Sequence, residues 1–310
     1  MRHWPAMVLV ALMPSFALPA AAAEPDLAYG AYQAGHYRRA QSEALQRLEA
    51  DPKDAAAMTL LGEIYRQGLG VRIDPKAAVD WYRLAADKGD INAIFALGMA
   101  MLEGRGVPRD AKAGGALLER AAAAGHPAAN YNLAITLLAT GRPQDDQRAI
   151  GCLRIAASAG LGDAQHALAV LYKMGRGLPQ DDGMAAEWMG KAAANGLIAG
   201  EVEYAIMLFN GDGVAKDERA AARLFIRAAN KGNAIAQNRL AKLYQFGRAV
   251  PPDLSEAAAW HLAARAQGLA DATLDQVVER LSPEQRARAA RLAADRIEAT
   301  ALTTPSQPSK

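Results

Sequence analysis

A glycine returns at Gly89, Gly125, Gly160, Gly196, Gly232 and Gly268, spaced by 36 residues except for one interval of 35. A unit that short does not fold alone. Ordering it costs roughly 1.5 kcal/mol per residue, more than one helical hairpin recovers by burial. Neighbouring copies must therefore stack and share a continuous core, which makes the chain a solenoid.

Each copy opens with a helix marked by Ala, Leu, a small residue, and Tyr or Leu, as in Ala57-Leu61-Gly62-Tyr65, Ala164-Leu168-Ala169-Tyr172 and Ala236-Leu240-Ala241-Tyr244. These spacings fall on one helical face. The glycine pairs Gly68/Gly70, Gly104/Gly106, Gly175/Gly177 and Gly211/Gly213 follow, where a left-handed cap and a tight reversal need a residue without Cβ. An aspartate comes next (Asp74, Asp110, Asp145, Asp181, Asp217, Asp253), placed to cap a second helix by accepting from its unpaired amides. Pro75 at a first helical position, and Glu256 three residues after Asp253, fit the same assignment. A phosphate-binding loop would follow a strand and carry a Lys-Ser/Thr pair, so glycines lying between two helices are read as turns.

The remaining composition agrees. The 51% hydrophobic content leans on alanine with few aromatics, which suits closely packed short helices and an all-α fold. Without Arg2 the chain holds 34 basic and 33 acidic residues, from 35 and 33 overall, and no basic stripe interleaved with aromatics, so no nucleic acid is expected as a partner. One cysteine, Cys152, excludes an internal disulfide framework.

The start of the chain reads as a secretory signal peptide: Arg2, an apolar run from Ala6 to Leu18 interrupted by Pro14, and small residues ending at Ala23. The run is shorter than the roughly 20 residues that span a bilayer. A mature protein beginning near Glu24 and dissolved in the periplasm is the expectation, with no membrane segment after signal removal.

The Gly-x-Gly-Val turn, Asp cap, Lys-Ala, Trp-Tyr and Ala-Ala-x-x-Gly ending together resemble the Sel-one-like repeat (SLR) family, a relative of the tetratricopeptide repeat. The resemblance covers Ala55 to Gly268. It implies an α/α solenoid, a right-handed superhelix of helix-turn-helix repeats, that acts as a non-enzymatic adaptor binding another protein or peptide, without cofactor. The expected organisation is a signal peptide over 1–23, a tetratricopeptide-like capping hairpin over 24–54, six repeats over 55–268, capping helices over 269–299 and a disordered tail over 300–310. Two departures stand out. The third repeat reads "LLATGRPQDD", one residue short and without the Gly-x-Gly turn, and Ala249 stands where the sixth would carry glycine.

Chemistry-bearing residues are sparse. Cys152 aligns with Trp81, Leu117, Trp188, Leu224 and Trp260, the assigned inward position of the second helix, and reads as a small buried hydrophobe. His3, His36, His126, His166 and His261 include no pair at the three- or four-residue spacing of helical metal ligands, so neither a metal nor a catalytic site is assigned. Glu201 and Glu203 project from different sides of a helix and read as a solvated face. Cysteine-rich relatives of this family have been described as β-lactam-binding enzymes, but their paired cysteines are missing here. A cell-wall or β-lactam hydrolase, the competing class, lacks a nucleophile with a base in reach.

By analogy with tetratricopeptide proteins, the concave face is lined two before, two after and five after the leucine of each first helix. Those positions are Phe95, Met99 and Leu102; Tyr131, Ile135 and Leu138; His166, Val170 and Lys173; and Val202, Ile206 and Phe209. Thr59, Glu63 and Arg66 flank them at one end, and Asn238, Lys242 and Gln245 at the other. The stripe is either an open groove for an amphipathic helix or apolar peptide, or core between repeats. Within the binding class the alternatives are a scaffold for envelope assembly and a regulator that clamps a sensor-kinase domain, as exopolysaccharide regulators of this family are thought to do.

Overall fold

The computed structural model describes residues 26–303; the expected signal segment, 1–23, and residues 304–310 of the expected tail lie outside them. The described residues form sixteen helices and no strand, and contacts divide the chain into two units meeting at Lys88 and Gly89.

The first unit holds α1 (Leu27–Gln33), α2 (Tyr37–Ala50), α3 (Ala55–Gln67) and α4 (Pro75–Asp87). Alanines do most of the packing: Ala28, Ala31, Ala40, Ala44 and Ala57 join Leu60, Leu61 and Ile64 in one cluster. Small side chains let helix backbones approach closely. Tyr82 on α4 is fully buried and donates its hydroxyl to Glu63 Oε1 at 2.6 Å. A Cβ on Gly62 would lie 2.4 Å from its ring, so glycine at this point of α3 is what admits the tyrosine.

The second unit runs α5 (Ile91–Glu103), α6 (Ala111–Ala123), α7 (Pro127–Ala139), α8 (Pro143–Ser158), α9 (Gly162–Met174), α10 (Asp182–Ala194), α11 (Ile198–Asn210), α12 (Glu218–Asn230), α13 (Ala234–Phe246), α14 (Leu254–Ala266), α15 (Ala272–Arg280) and α16 (Pro283–Thr303). Each helix from α5 to α14 packs on the next, and α14 packs on both α15 and α16. Short connections make sequential neighbours antiparallel pairs. The α/α solenoid pattern of stacked hairpins is thus present, and α16 continues through residues 300–303, where a tail was expected.

Five of the six aspartates cap as their position predicts. Asp74, Asp110, Asp181 and Asp217 each accept from the amide three residues on, at 2.8–2.9 Å, and Asp253 accepts from Ser255 and Glu256 at 2.8 and 3.0 Å. The Glu256 side chain does not return the bond; it pairs with Arg296 at 2.5 Å. Asp145 is a correction. In the shortened third repeat Pro143 sits at the first helical position, so α8 begins early, Arg142 takes the cap position, and Asp145 falls inside the first turn. Thr140 and Arg142 bond to the Asp145 carboxyl, at 2.6 and 2.7 Å, and hold it below the ordinary carboxylate range. The missing glycine turn is compensated from the next repeat: Arg176 donates to Leu138 O at 2.6 Å while pairing with Asp146 at 2.7 Å.

Ala249 adopts the conformation that its glycine counterparts use. Its φ of 61° makes it the only described non-glycine residue in the left-handed region.

Candidate functional site

In the second unit the structure places the stripe of first-helix residues between core and surface. Phe95, Met99, Leu102, Tyr131, Leu138, His166, Val170, Ile206 and Phe209 are half-buried, Val202 is buried, and Ile135 and Lys173 are exposed. Of the flanking set, Asn238 is buried and Lys242 and Gln245 are half-buried. Thr59, Glu63 and Arg66 belong to the first unit, where Glu63 is taken up by Arg66 at 2.7 Å and by Tyr82.

Several of these side chains are engaged in tying one repeat to the next. Phe95 of α5 stacks on His126, the cap of α7, with ring centres 4.5 Å apart. His126 Nδ1 accepts from the Ala129 amide at 3.1 Å, and burial lowers its pKa, with Asp90 acting in the opposite sense. Asn238 and Lys242 on α13 both reach Asp271, the cap of α15, at 3.1 and 2.7 Å. Burial alone would raise the Asp271 pKa, but Lys242, Thr273 and Asn238 overcome it and hold the carboxyl far below its usual value.

His166 on α9 meets Glu203 on α11 at 2.8 Å. The bond to Glu203 raises the His166 pKa above the ordinary 6.5 against the opposing effect of burial. A raised native value means that the contact contributes stability fully below the unfolded histidine value of 6.5 and loses it as pH rises through the native value. Both side chains are partly in water, so the gain is small. The ring of His166 is expected to titrate by NMR at a higher pH in the native chain than in Glu203→Gln; superimposed titration curves would disprove the pairing.

Three of the stripe and flank residues, Ile206, Phe209 and Lys242, come together in a cleft of about 230 Å³ whose lining includes Leu243, Phe246 and Arg248. Helices α11 and α13 supply its sides, because Ile206 and Phe209 on one, and Lys242, Leu243 and Phe246 on the other, lie at three- to four-residue spacing. The Arg248 guanidinium lies 4.3 Å from the Phe209 ring centre, a geometry in which the ring face attracts the cation.

Two residues stand where sequence reasoning did not put them. Cys152 is half-buried; the fully inward register is one residue later, at Tyr82, Leu118, Leu153, Met189 and Phe225, because the second helix is rotated so that its broad contact falls there. Burial still raises the thiol pKa, with Arg148 opposing. The same register brings His261 to full burial in the last repeat, where Nε2 meets Asp275 Oδ1 at 2.8 Å and Nδ1 has no hydrogen-bond partner among the described residues.

Glu201 is fully buried, not solvated. Its register on the first helix is shared with Asn130, Gln165 and Gln237, whose side-chain amides donate to Ala122, Ala157 and Ala229 O at 2.9, 3.0 and 3.2 Å. Each adds a second bond to a carbonyl in the last turn of the preceding second helix, which already accepts from the closing glycine amide. A carboxylate cannot donate. Arg227 therefore donates to the corresponding Ala193 O at 3.1 Å and pairs with Glu201 at 2.7 Å, and Lys231 adds a contact at 2.8 Å. The repeated amide at this register was the signal that a polar side chain here is an internal tie.

The model of the Sel1 repeat matches residues 55–90, 91–126, 127–161, 162–197, 198–233 and 234–269 in unbroken succession. No curated protein matches. Among solved structures, a protective antigen of uropathogenic Escherichia coli displaying an SLR fold is 24% identical, over 88% of this chain and 68% of its own, with a TM-score of 0.52. A Sel1 repeat protein from Oxalobacter formigenes is 26% identical over 86% of this chain and 98% of its own, with a TM-score of 0.42. A Pseudomonas aeruginosa protein is 18% identical over 65% and 80%, with a TM-score of 0.46.

Proposed function

Because the chain belongs to the Sel1 repeat family, whose members are generally protein-interaction scaffolds, we propose that it is a non-enzymatic periplasmic adaptor serving envelope assembly or signalling. The observation that carries the binding role is the family match itself, six repeats in succession. The half-buried first-helix stripe, with its cleft of about 230 Å³, supplies the surface. Export rests on the N-terminal sequence: a basic residue, an apolar run and small residues ending at Ala23. Among the described residues no helix is long and apolar enough to cross a membrane.

Mass spectrometry of the protein expressed in its own host should find a chain beginning at Glu24 in the periplasmic fraction. A chain retaining Met1 in the cytoplasm would remove every envelope role. Crosslinking in that fraction should then recover one specific protein, and an envelope-assembly component or a sensor-kinase domain would decide between scaffold and regulator. Recovery of none, together with hydrolysis of a cell-wall or β-lactam substrate by the purified chain, would replace the adaptor with an enzyme.

A further inference from the structure

The cleft between α11 and α13 has a one-sided charge. Arg239, Lys242 and Arg248 all contribute to its lining, and no carboxylate does. Lys242 is held by Asp271 at 2.7 Å, and Arg248 is held by Glu218 while lying over Phe209, so two of the cations are fixed in place by acids that stay outside the cleft. Arg239 makes no hydrogen bond or ion pair among the described residues. Its guanidinium has five donors available.

The apolar part is equally one-sided. Phe225 is 2% exposed, whereas Phe246 is 66% exposed, an aromatic ring left in water beside Phe209. Arg239, Lys242 or Leu243, and Phe246 follow one another at helical spacing along α13, so cation and aromatic lie on one face, roughly 10 Å apart along a rise of 1.5 Å per residue. Size decides between kinds of ligand. Small-molecule sites run to about 300–1,000 Å³, and at about 230 Å³ this cleft holds one large side chain rather than a whole cofactor or lipid chain.

We infer that the cleft anchors an acidic segment of a partner protein, which inserts one aromatic or large aliphatic side chain between Phe209 and Phe246 and sets carboxylates against Arg239 and Arg248. This rests on the protein-binding reading above and names the chemistry of the partner. Charge complementarity selects the acidic flanks, since a basic segment would meet three like charges and a neutral one would leave Arg239 unpaired. The apolar anchor supplies the residence, and the cations orient it.

The test uses the full mature chain and a fluorescein-labelled peptide with a central phenylalanine between glutamates, read by anisotropy at low salt. Saturable binding is expected. Phe246→Ala and Arg239→Ala should each weaken it about tenfold or more, with melting temperature unchanged because both side chains stand in water. The peptide with lysines in place of glutamates should not bind, and replacing its phenylalanine with alanine should abolish most of the affinity. Equal binding of the lysine peptide, no binding of the acidic one, or indifference to both variants overturns the assignment. The two readings fail separately: if the protein recovered by crosslinking is captured equally by wild type and Phe246→Ala, the cleft proposal falls while the adaptor stands, and if wild type recovers none the adaptor itself falls.

Discussion

Gly213→Ala should destabilise the chain by roughly 2–5 kcal/mol, combining the left-handed backbone cost of 1–2 with an overpacking cost of 1–3. Gly213 has φ 66°, and a Cβ built on it lies 1.9 Å from the carbonyl oxygen of Asp182 at the start of the preceding repeat's second helix. Backbone cannot rotate away as a side chain can. Gly196→Ala is the control: its φ of 82° is just as unfavourable, but a Cβ there meets nothing within 4 Å, so only the backbone cost of roughly 1–2 kcal/mol remains. Urea unfolding of the two variants should separate them clearly, and equal losses would show that the turn yields and that the Asp182 contact does not constrain it. Ala249, in the same register one repeat later, adopts the left-handed conformation while carrying a Cβ.

A comparable loss is expected when the buried carboxylate of Glu201 is left alone. Removing both cations with Arg227→Ala and Lys231→Ala strips its two ion pairs and also the donor to Ala193 O. Uncovering one member of a buried pair costs about 3–5 kcal/mol. Here the cations are 49% and 39% exposed, which lowers the expectation to roughly 2–4 kcal/mol after allowance for solvent. Adding Glu201→Gln to the double variant should restore most of the stability, since a glutamine can donate to Ala193 O as Gln165 does to Ala157 O and Gln237 to Ala229 O. Chemical unfolding of the double and triple variants checks both statements. A double variant within about 0.5 kcal/mol of wild type, the range of an ordinary surface change, would mean that the charge finds water, and a triple variant no better than the double would mean that the amide bond is not what the register requires.

What could be read from the amino-acid order was whatever is decided within a few residues. Helix hairpins, glycine C-caps and five aspartate caps depend on bonds spanning two to four positions, and they stand where the pattern puts them. Asp145 was misplaced because a proline two residues earlier started α8 ahead of it, a competition between two local signals. Cys152 and Glu201 were misread for a different reason. Whether a helical side chain faces in or out of a stack depends on the rotation of the helix against the helices packed on it, fixed by residues some 30 positions away such as Lys231 for Glu201. The candidate site was legible as a set of positions but not as an arrangement: the pattern named Ile206, Phe209 and Lys242, while Phe246 and Arg248, which complete their cleft, lie outside the positions that the analogy supplies.

The ties between the first helix and the end of the second inside one copy have a bearing on how such a chain changes length. Asn195 bonds to Gln165, Lys231 to Glu201 and Gln267 to Gln237, each across a separation of 30 residues. A tie of fixed separation is indifferent to how many copies precede or follow it. Excising or duplicating one complete copy between equivalent glycines therefore leaves every remaining tie in register, whereas inserting a single residue between two tied positions breaks one. The missing residue of the third copy falls in the α7–α8 turn, before Gln165 and its tie to Asn195 begin. Copy number is thus a free variable of this architecture, and spacing inside a copy is not.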